Sequence, residues 1–128
     1  MRVPSRHYAI MCAHNNTAAP VTGHRVDTEQ LAVAAEVLSH LADPTRLHLL
    51  HLLRTEHDVT SLNTQVAASR SSVSQHLARL RLAGLVHARR DGRRVHYRIT
   101  SDHLSTLVDE ALGYADHTVR DIPHHPPT

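Results

Sequence analysis

The sequence predicts a mainly α-helical domain with a single β-hairpin, in the order α-α-α-α-β-β-α, which is the winged helix-turn-helix arrangement. Apolar residues recur at helical spacing along most of the chain. Two runs of alternating residues flank an Asp-Gly pair, which indicates a hairpin. The chain has no Phe or Trp, so its core must be aliphatic, which suits packed helices. A length of 128 residues leaves room for one ordinary domain.

Caps and apolar spacing predict the first three helices. Helix one begins at Asp27 or Thr28 and presents Leu31, Leu38 and Leu41 on one side. Asp43-Pro44 begins a second helix that continues to about Arg54, since Pro is favoured in the first turn. A polar loop at residues 55–58 and a short third helix at residues 60–67 follow.

The fourth helix and the hairpin are the stronger predictions. A turn at residues 68–70 leads into a helix at residues 71–82, whose inner face carries Val73, Leu77 and Leu80. Gly84 ends this helix, and strands on either side of residues 90–93 form the hairpin. A final helix runs from Ser101 or Asp102 to Tyr114 or beyond.

Composition divides the chain into three parts. Residues 1–26 show no period and are expected to be a flexible arm, residues 27–119 form the folded domain, and residues 120–128 are a tail rich in His and Pro. No stretch is long and apolar enough for a membrane span, so we expect a cytoplasmic protein. The lone Cys12 excludes an intrachain disulfide.

Charge is distributed unevenly along the chain, and its distribution predicts that the protein binds a polyanion. Residues 70–98 contain eight of the fourteen arginines and one acid, Asp91. A polar helix face beside a basic hairpin is typical of DNA binding, with Gln and Arg reading base edges and other groups contacting phosphates. The residues expected to contact DNA are Arg70, Ser72, Ser74, Gln75, His76, Arg79, Arg89, Arg90, Arg93 and Arg94.

Three segments together resemble the ArsR/SmtB family of metal-sensing repressors. They are residues 38–47 (LSHLADPTRL), residues 71–86 (SSVSQHLARLRLAGLV) and residues 90–99 (RDGRRVHYRI). The resemblance covers about residues 28–118 and implies a homodimer paired through its first and last helices. It also implies that the metal-free form binds double-stranded operator DNA, so that residues 27–119 serve both DNA binding and dimerisation.

The last helix holds the expected metal ligands. Family members with an arsenic, cadmium or lead site have a Cys-x-Cys pair in the first helix of the DNA-binding motif. The corresponding helix here, predicted at residues 60–67, has no cysteine. His103 and His117 are fourteen residues apart, about 21 Å along one helix but within about 40° of the same face. An antiparallel partner helix would therefore bring its His117 beside His103, which gives two intersubunit sites.

The ligand set departs from the zinc-sensing pattern of the family. Ser101 stands where that pattern has Asp, and Tyr114 stands where it has a later His. Asp116, His124 and His125 compensate, an arrangement similar to the nickel- and cobalt-sensing branch. We therefore expect Ni²⁺ or Co²⁺, with Zn²⁺ as the alternative, because many N and O ligands favour high coordination numbers.

Other functional readings stay open at this point. One is a repressor of the same class that responds to oxidation or to a small molecule, with Cys12 as the redox group. Another is a histidine-rich metal carrier, which the fourteen histidines permit. Catalysis has no support, since the sequence shows neither a nucleophile with a paired base nor a phosphate-binding glycine loop.

Overall fold

Five helices and three strands occupy the part of the chain that the computed structural model describes, residues 25–121. Most of the predicted arm and tail, including His124 and His125, lies outside the described residues. The elements are α1 (Thr28–Leu41), α2 (Pro44–Leu52), β1 (His57–Asp58), α3 (Val59–Gln65), α4 (Arg70–Leu82), β2 (Val86–Asp91), β3 (Arg94–Ile99) and α5 (Asp102–Asp121).

Side-chain caps set the starts of four helices. In each, a carboxylate or hydroxyl accepts a hydrogen bond from a backbone N–H three residues on, which satisfies one of the unpaired amides of the first turn. The pairs are Asp27 with Gln30 (2.7 Å), Asp43 with Arg46 (2.9 Å), Asp58 with Ser61 (2.8 Å) and Ser69 with Ser72 (3.0 Å). The predicted starts of α1 and α2 are confirmed, and α3 begins one residue earlier than predicted.

A three-stranded antiparallel sheet replaces the two-stranded hairpin that the sequence predicts, with strand order β1-β3-β2. The prediction of a loop at residues 55–58 is wrong for His57 and Asp58, which pair with Tyr97 and His96 of β3. Two residues are too few to show an alternating pattern, so β1 has no signal in the sequence. The hairpin itself is confirmed, with Gly92 at φ 64° in the loop.

The core joins the helix-turn-helix to the base of the sheet. The predicted inner face of α4 is confirmed, since Val73, Leu77 and Leu80 are almost fully buried. Among residues 25–121, the buried hydrophobic residues of the core are Val37, Leu41, Leu49, Leu50, Leu53, Leu62, Val66, Val73, Leu77, Leu80, Leu85, Val86, Ile99, Leu104 and Val108.

The end of α4 fixes where the hairpin leaves the core. Gly84 adopts φ 80°, a left-handed conformation that an L side chain opposes. Its N–H donates to the carbonyl of Arg81 (3.0 Å), and the N–H of Leu85 donates to that of Leu80 (2.9 Å). The N–H of Ile99 also donates to the carbonyl of Leu53 (2.9 Å). The hairpin, which we call the wing, is therefore hydrogen-bonded to the end of α2 through Ile99, and Leu85, which directly precedes it, is hydrogen-bonded to the last turn of α4.

The last helix is longer than the minimum that the sequence predicts. It continues without a break from Asp102 to Asp121, a length of 20 residues. No helix among residues 25–121 combines the length and the apolar character that crossing a bilayer requires.

Candidate nucleic-acid interface and metal ligands

The outward side of α4 carries polar side chains over a buried apolar side. Ser74, Gln75 and Arg79 are exposed, as is Arg70 in the first turn, while Ser72 is half-buried. The side of α4 that faces away from the core therefore offers hydroxyl, amide and guanidinium groups. These groups can donate hydrogen bonds to base edges and phosphates in a major groove.

His76 differs from its neighbours on α4 because it faces the start of α2. Its Nδ1 lies 3.5 Å from a guanidinium nitrogen of Arg46, and its Nε2 lies 4.0 Å from Oδ2 of Asp43. Arg46 also donates from Nε to the carbonyl of His40 (2.8 Å). The backbone N–H of Arg46, then the charges of Arg46 and His76, lower the pKa of Asp43. His76 thus links α4, which we call the recognition helix, to the start of α2 and, through Arg46, to the end of α1.

The hairpin has one face on the core and one in solvent. Val86 and Ile99 are paired across the two strands and are both buried, so they mark the inner face. Side chains alternate between the two faces along a strand, so every second residue, beginning with His87 in β2 and Arg98 in β3, lies on the outer face. We call this the outer face of the wing: His87, Arg89, Asp91, Arg94, His96 and Arg98.

Two arginines of the outer face pair with acids from the segment around β1. Arg89 makes a bidentate contact with Glu56, with Nε and a terminal nitrogen 2.9 and 2.8 Å from the two carboxylate oxygens. Arg94 lies 3.3 Å from Oδ2 of Asp58, whose other oxygen caps α3. The hydrogen bond from Arg89 lowers the pKa of Glu56, and the Ser61 N–H, followed by Arg94, lowers that of Asp58.

The remaining predicted arginines lie at the tip of the wing. Arg90 and Arg93 are exposed, and neither makes an ion pair within residues 25–121. Arg90 donates a long hydrogen bond to the carbonyl of Gly92 (3.4 Å). The tip therefore presents two guanidinium groups to solvent.

The predicted metal ligands are spread along α5. His103 and His117 are both exposed, and Asp116 is hydrogen-bonded to Arg120 one turn further on. His124 and His125 lie outside the described residues. Among the described residues of one chain, no group of three or more His, Cys, Asp or Glu side chains is arranged to hold a metal ion. A single subunit therefore does not bring these candidates together within residues 25–121.

Apolar side chains on α1 and α5 face solvent. Leu31 and Leu38 of α1 are 59% and 51% exposed, and Tyr114 of α5 is 76% exposed. Leu107, one turn from His103, is 37% exposed. Each of the two helices that flank the DNA-binding motif thus carries exposed apolar residues, and we call these four residues the uncovered apolar surface.

Sequence reasoning missed two groups that position the DNA-facing elements. Glu56 and Asp58 hold the wing, and Asp43 with Arg46 holds His76. Asp58 had a readable signal, because it stands three residues before Ser61 as a helix cap does. Glu56 had none, since its approach to Arg89 depends on the unpredicted strand β1.

Comparisons with known proteins agree with this geometry. Residues 43–88 match the model of the family described as bacterial regulatory protein, arsR family. The HTH-type transcriptional regulator KmtR of Mycobacterium tuberculosis is 43% identical over 98 residues, which cover 76% of this chain and 75% of the relative. The regulator NmtR of the same organism is 36% identical over 104 residues, covering 80% and 82%. The structure of HlyU from Vibrio cholerae matches with a TM-score of 0.63 at 30% identity, covering 73% and 97%.

Proposed function

The chain belongs to the arsR family of bacterial regulatory proteins, and on that premise we propose that it is a cytoplasmic, metal-responsive repressor of transcription. Its relatives are transcriptional regulators, so it is a regulator rather than an enzyme. A homodimer binds operator DNA in the absence of metal and releases it when Ni²⁺ or Co²⁺ binds between the last helices. Residues 27–119 carry DNA binding and dimerisation, with an arm before them and a histidine-rich tail after them.

DNA recognition is assigned to α4 and to the wing. Ser74, Gln75 and Arg79 face away from the core, and Arg90 and Arg93 extend from the wing tip. Gln and Arg can make paired hydrogen bonds to base edges, whereas arginines at the tip suit phosphates or a minor groove. His76 holds α4 in place rather than reading a base, because Asp43 and Arg46 already face its ring.

Dimerisation is assigned to the uncovered apolar surface of α1 and α5. Leu31, Leu38 and Tyr114 are each more than half exposed in a single chain. Covering such a surface with a second copy removes apolar area from water, which favours association. A twofold dimer uses the same surface on both subunits. We propose a twofold axis that crosses α5, so that α5 packs against α5 of its partner in the antiparallel sense.

The spacing of His103, Leu107, Tyr114 and His117 along α5 is the observation that carries the metal proposal. Antiparallel packing that sets His103 beside the partner's His117 also sets Leu107 within one residue of the partner's Tyr114. On a helical wheel, both histidines lie on the same side of Leu107, about 40° and 80° from it. One arrangement therefore buries the apolar residues and brings the imidazoles together at the border of the interface.

The donor set suits a transition metal with nitrogen and oxygen ligands. His103 and the partner's His117 supply imidazoles, and Asp116 supplies a carboxylate if it leaves Arg120. His124 and His125 follow α5 closely enough in sequence to add further imidazoles. More than four such ligands favour Ni²⁺ or Co²⁺, and four favour Zn²⁺. Metal bound here changes the relative position of the two subunits, and with it the spacing of the two recognition helices.

Metal titration of a DNA complex tests this proposal. A duplex selected from a random pool serves as the operator, and Ni²⁺, Co²⁺ and Zn²⁺ are added while fluorescence anisotropy reports binding. We expect release with a coupling free energy of about 1–3 kcal/mol. His103→Ala and His117→Ala should retain metal-free DNA binding and lose the response, whereas His48→Ala, an exposed histidine on α2, should respond normally.

Two results would contradict the proposal. One is complete retention of DNA in the presence of all three metals, and the other is an unchanged metal response in the His103→Ala and His117→Ala variants. The absorption spectrum of the Co²⁺ form separates the metals. Weak visible bands indicate five or six ligands, and intense bands indicate a tetrahedral site that favours zinc.

A further inference from the structure

Glu56 occupies the centre of a basic cluster on the outer face of the wing. Its two carboxylate oxygens accept hydrogen bonds from Arg89 of β2 at 2.8 and 2.9 Å. Glu56 directly precedes β1, and the charges of His96 and Arg98 on β3 also act on its carboxylate. Arg89 pairs across the strands with His96. Basic groups from two strands therefore surround one carboxylate.

The electrostatics of Glu56 agree with this placement. The hydrogen bond and charge of Arg89, then the charges of His96 and Arg98, hold the pKa of Glu56 below its ordinary value. The bidentate contact raises the pKa of Arg89 in turn. These basic groups form a site that stabilises an anion.

We propose that Arg89, with His96 and Arg98 beside it, forms a binding site for a phosphate of the DNA backbone. While DNA is absent, the carboxylate of Glu56 occupies the position of that phosphate. A guanidinium accepts a carboxylate or a phosphate through the same pair of N–H groups. When DNA binds, Arg89 exchanges the carboxylate for a phosphate oxygen. The inference rests on the proposed DNA binding and is independent of the metal response.

The exposure of the pair makes the exchange easy. The side chains of Arg89 and Glu56 are 53% and 35% exposed, and exposed ion pairs contribute little to stability. A phosphate contact also releases a counterion from DNA, which Glu56 cannot do. Asp58 is a poorer candidate for this role, because it caps α3 and its side chain is 14% exposed.

The predicted consequence is a restraint on DNA affinity that does not depend on sequence. Glu56 competes with phosphates for Arg89, and this competition lowers the affinity of the wing for a DNA backbone. Removing the charge should strengthen binding to every duplex by the same factor. Base discrimination should stay unchanged, because base edges are read by α4.

Glu56→Gln tests the proposal through binding to a fluorescein-labelled 30-base-pair duplex of mixed sequence, without metal. We expect binding about three- to tenfold tighter at low salt, with nearly the same slope in a plot of log affinity against log salt, because Arg89 contacts a phosphate in both complexes. Glu36→Gln on α1 removes the same charge from an exposed position away from the wing and is the matched control. It should leave both quantities near those of the unchanged protein.

Glu56→Gln combined with Arg89→Ala shows whether the gain in DNA affinity depends on Arg89. Glu56→Gln should give no gain in that combination, and Arg89→Ala alone should weaken binding with a shallower salt dependence. Circular dichroism and thermal unfolding establish that each variant is folded. Unchanged or weaker binding by a folded Glu56→Gln protein would overturn the inference, as would an equal gain in the Arg89→Ala background. Failure of the unchanged protein to bind any duplex would instead contradict the proposed function.

Discussion

Arg46 connects two helices that have different proposed roles. Its Nε donates to the carbonyl of His40 in the last turn of α1, and a terminal nitrogen lies 3.5 Å from Nδ1 of His76 on α4. In the proposed dimer, a displacement of α1 would reach α4 through the guanidinium of Arg46. This contact gives a physical route by which subunit geometry can change DNA affinity, without a wide rearrangement of the core.

Stability against acid should depend on the capping carboxylates. In the folded chain, the pKa of Asp58 is lowered by the Ser61 N–H and by Arg94, with His96 also nearby. The pKa of Asp43 is lowered by the Arg46 N–H, with Arg46 and His76 as the facing charges. Their stabilisation is therefore complete above the unfolded pKa of about 3.9 and is lost as the pH falls through the folded pKa.

Asp58→Asn isolates one of these groups. Asn retains the ability to cap α3 but does not titrate in this range and does not attract Arg94 as a charge. We expect a variant slightly less stable at pH 7, whose melting temperature falls less between pH 6 and pH 3. Thermal unfolding followed by circular dichroism at constant ionic strength measures both. An acid dependence identical to that of the unchanged protein would show that Asp58 does not contribute.

At the scale of elements, two glycines should respond to alanine in opposite directions. Gly84 adopts φ 80° at the end of α4, so Gly84→Ala should lower the free energy of unfolding by about 1–2 kcal/mol. Gly113 lies within α5, and a Cβ there meets nothing within 4 Å. Gly113→Ala should raise stability by about 0.5–1 kcal/mol. Urea unfolding at one protein concentration measures both, and equal signs would contradict the assignment.

Comparison of the helices and strands with their predictions shows which of them could be predicted from the sequence. The helix starts were readable because a cap such as Asp27 or Asp43 acts within three residues, and the buried side of α4 was readable from its spacing. The two-residue strand β1 was not readable, because it exists through pairing with β3. The same long-range pairing brings Glu56 to Arg89. Local signals thus predicted the framework of the site, and contacts between distant segments decided which arginines are paired.

The position of His76 illustrates the same limit for a single side chain. The sequence suggested that His76 faces DNA, because His76 falls with Gln75 and Arg79 outside the apolar face of α4. Its actual direction is set by Asp43 and Arg46, thirty or more residues earlier in the chain. The separation of His103 from His117 along α5, in contrast, follows from helical geometry alone. The register with a second subunit stays a prediction.

At the scale of the whole molecule, the regulator should require the apolar surface of α1 and α5 to form a dimer. Leu31→Glu and Tyr114→Glu place a charge at positions 59% and 76% exposed in one chain, so neither should disturb the fold of the subunit. Both should shift the protein toward monomer, because a buried unpaired carboxylate is costly. Monomers should bind the selected operator far more weakly, since one recognition helix contacts one half-site.

Leu82→Glu is the control for this experiment, because Leu82 is 85% exposed but lies at the end of α4, away from α1 and α5. If exposed leucine drove association regardless of place, this variant would also become monomeric. We expect it to stay dimeric by sedimentation equilibrium, while Leu31→Glu and Tyr114→Glu dissociate. Dimers that persist in both α1 and α5 variants would place the interface elsewhere. The pairing of His103 with the partner's His117 would then lose its geometric basis, whereas the DNA-facing residues of α4 would be unaffected.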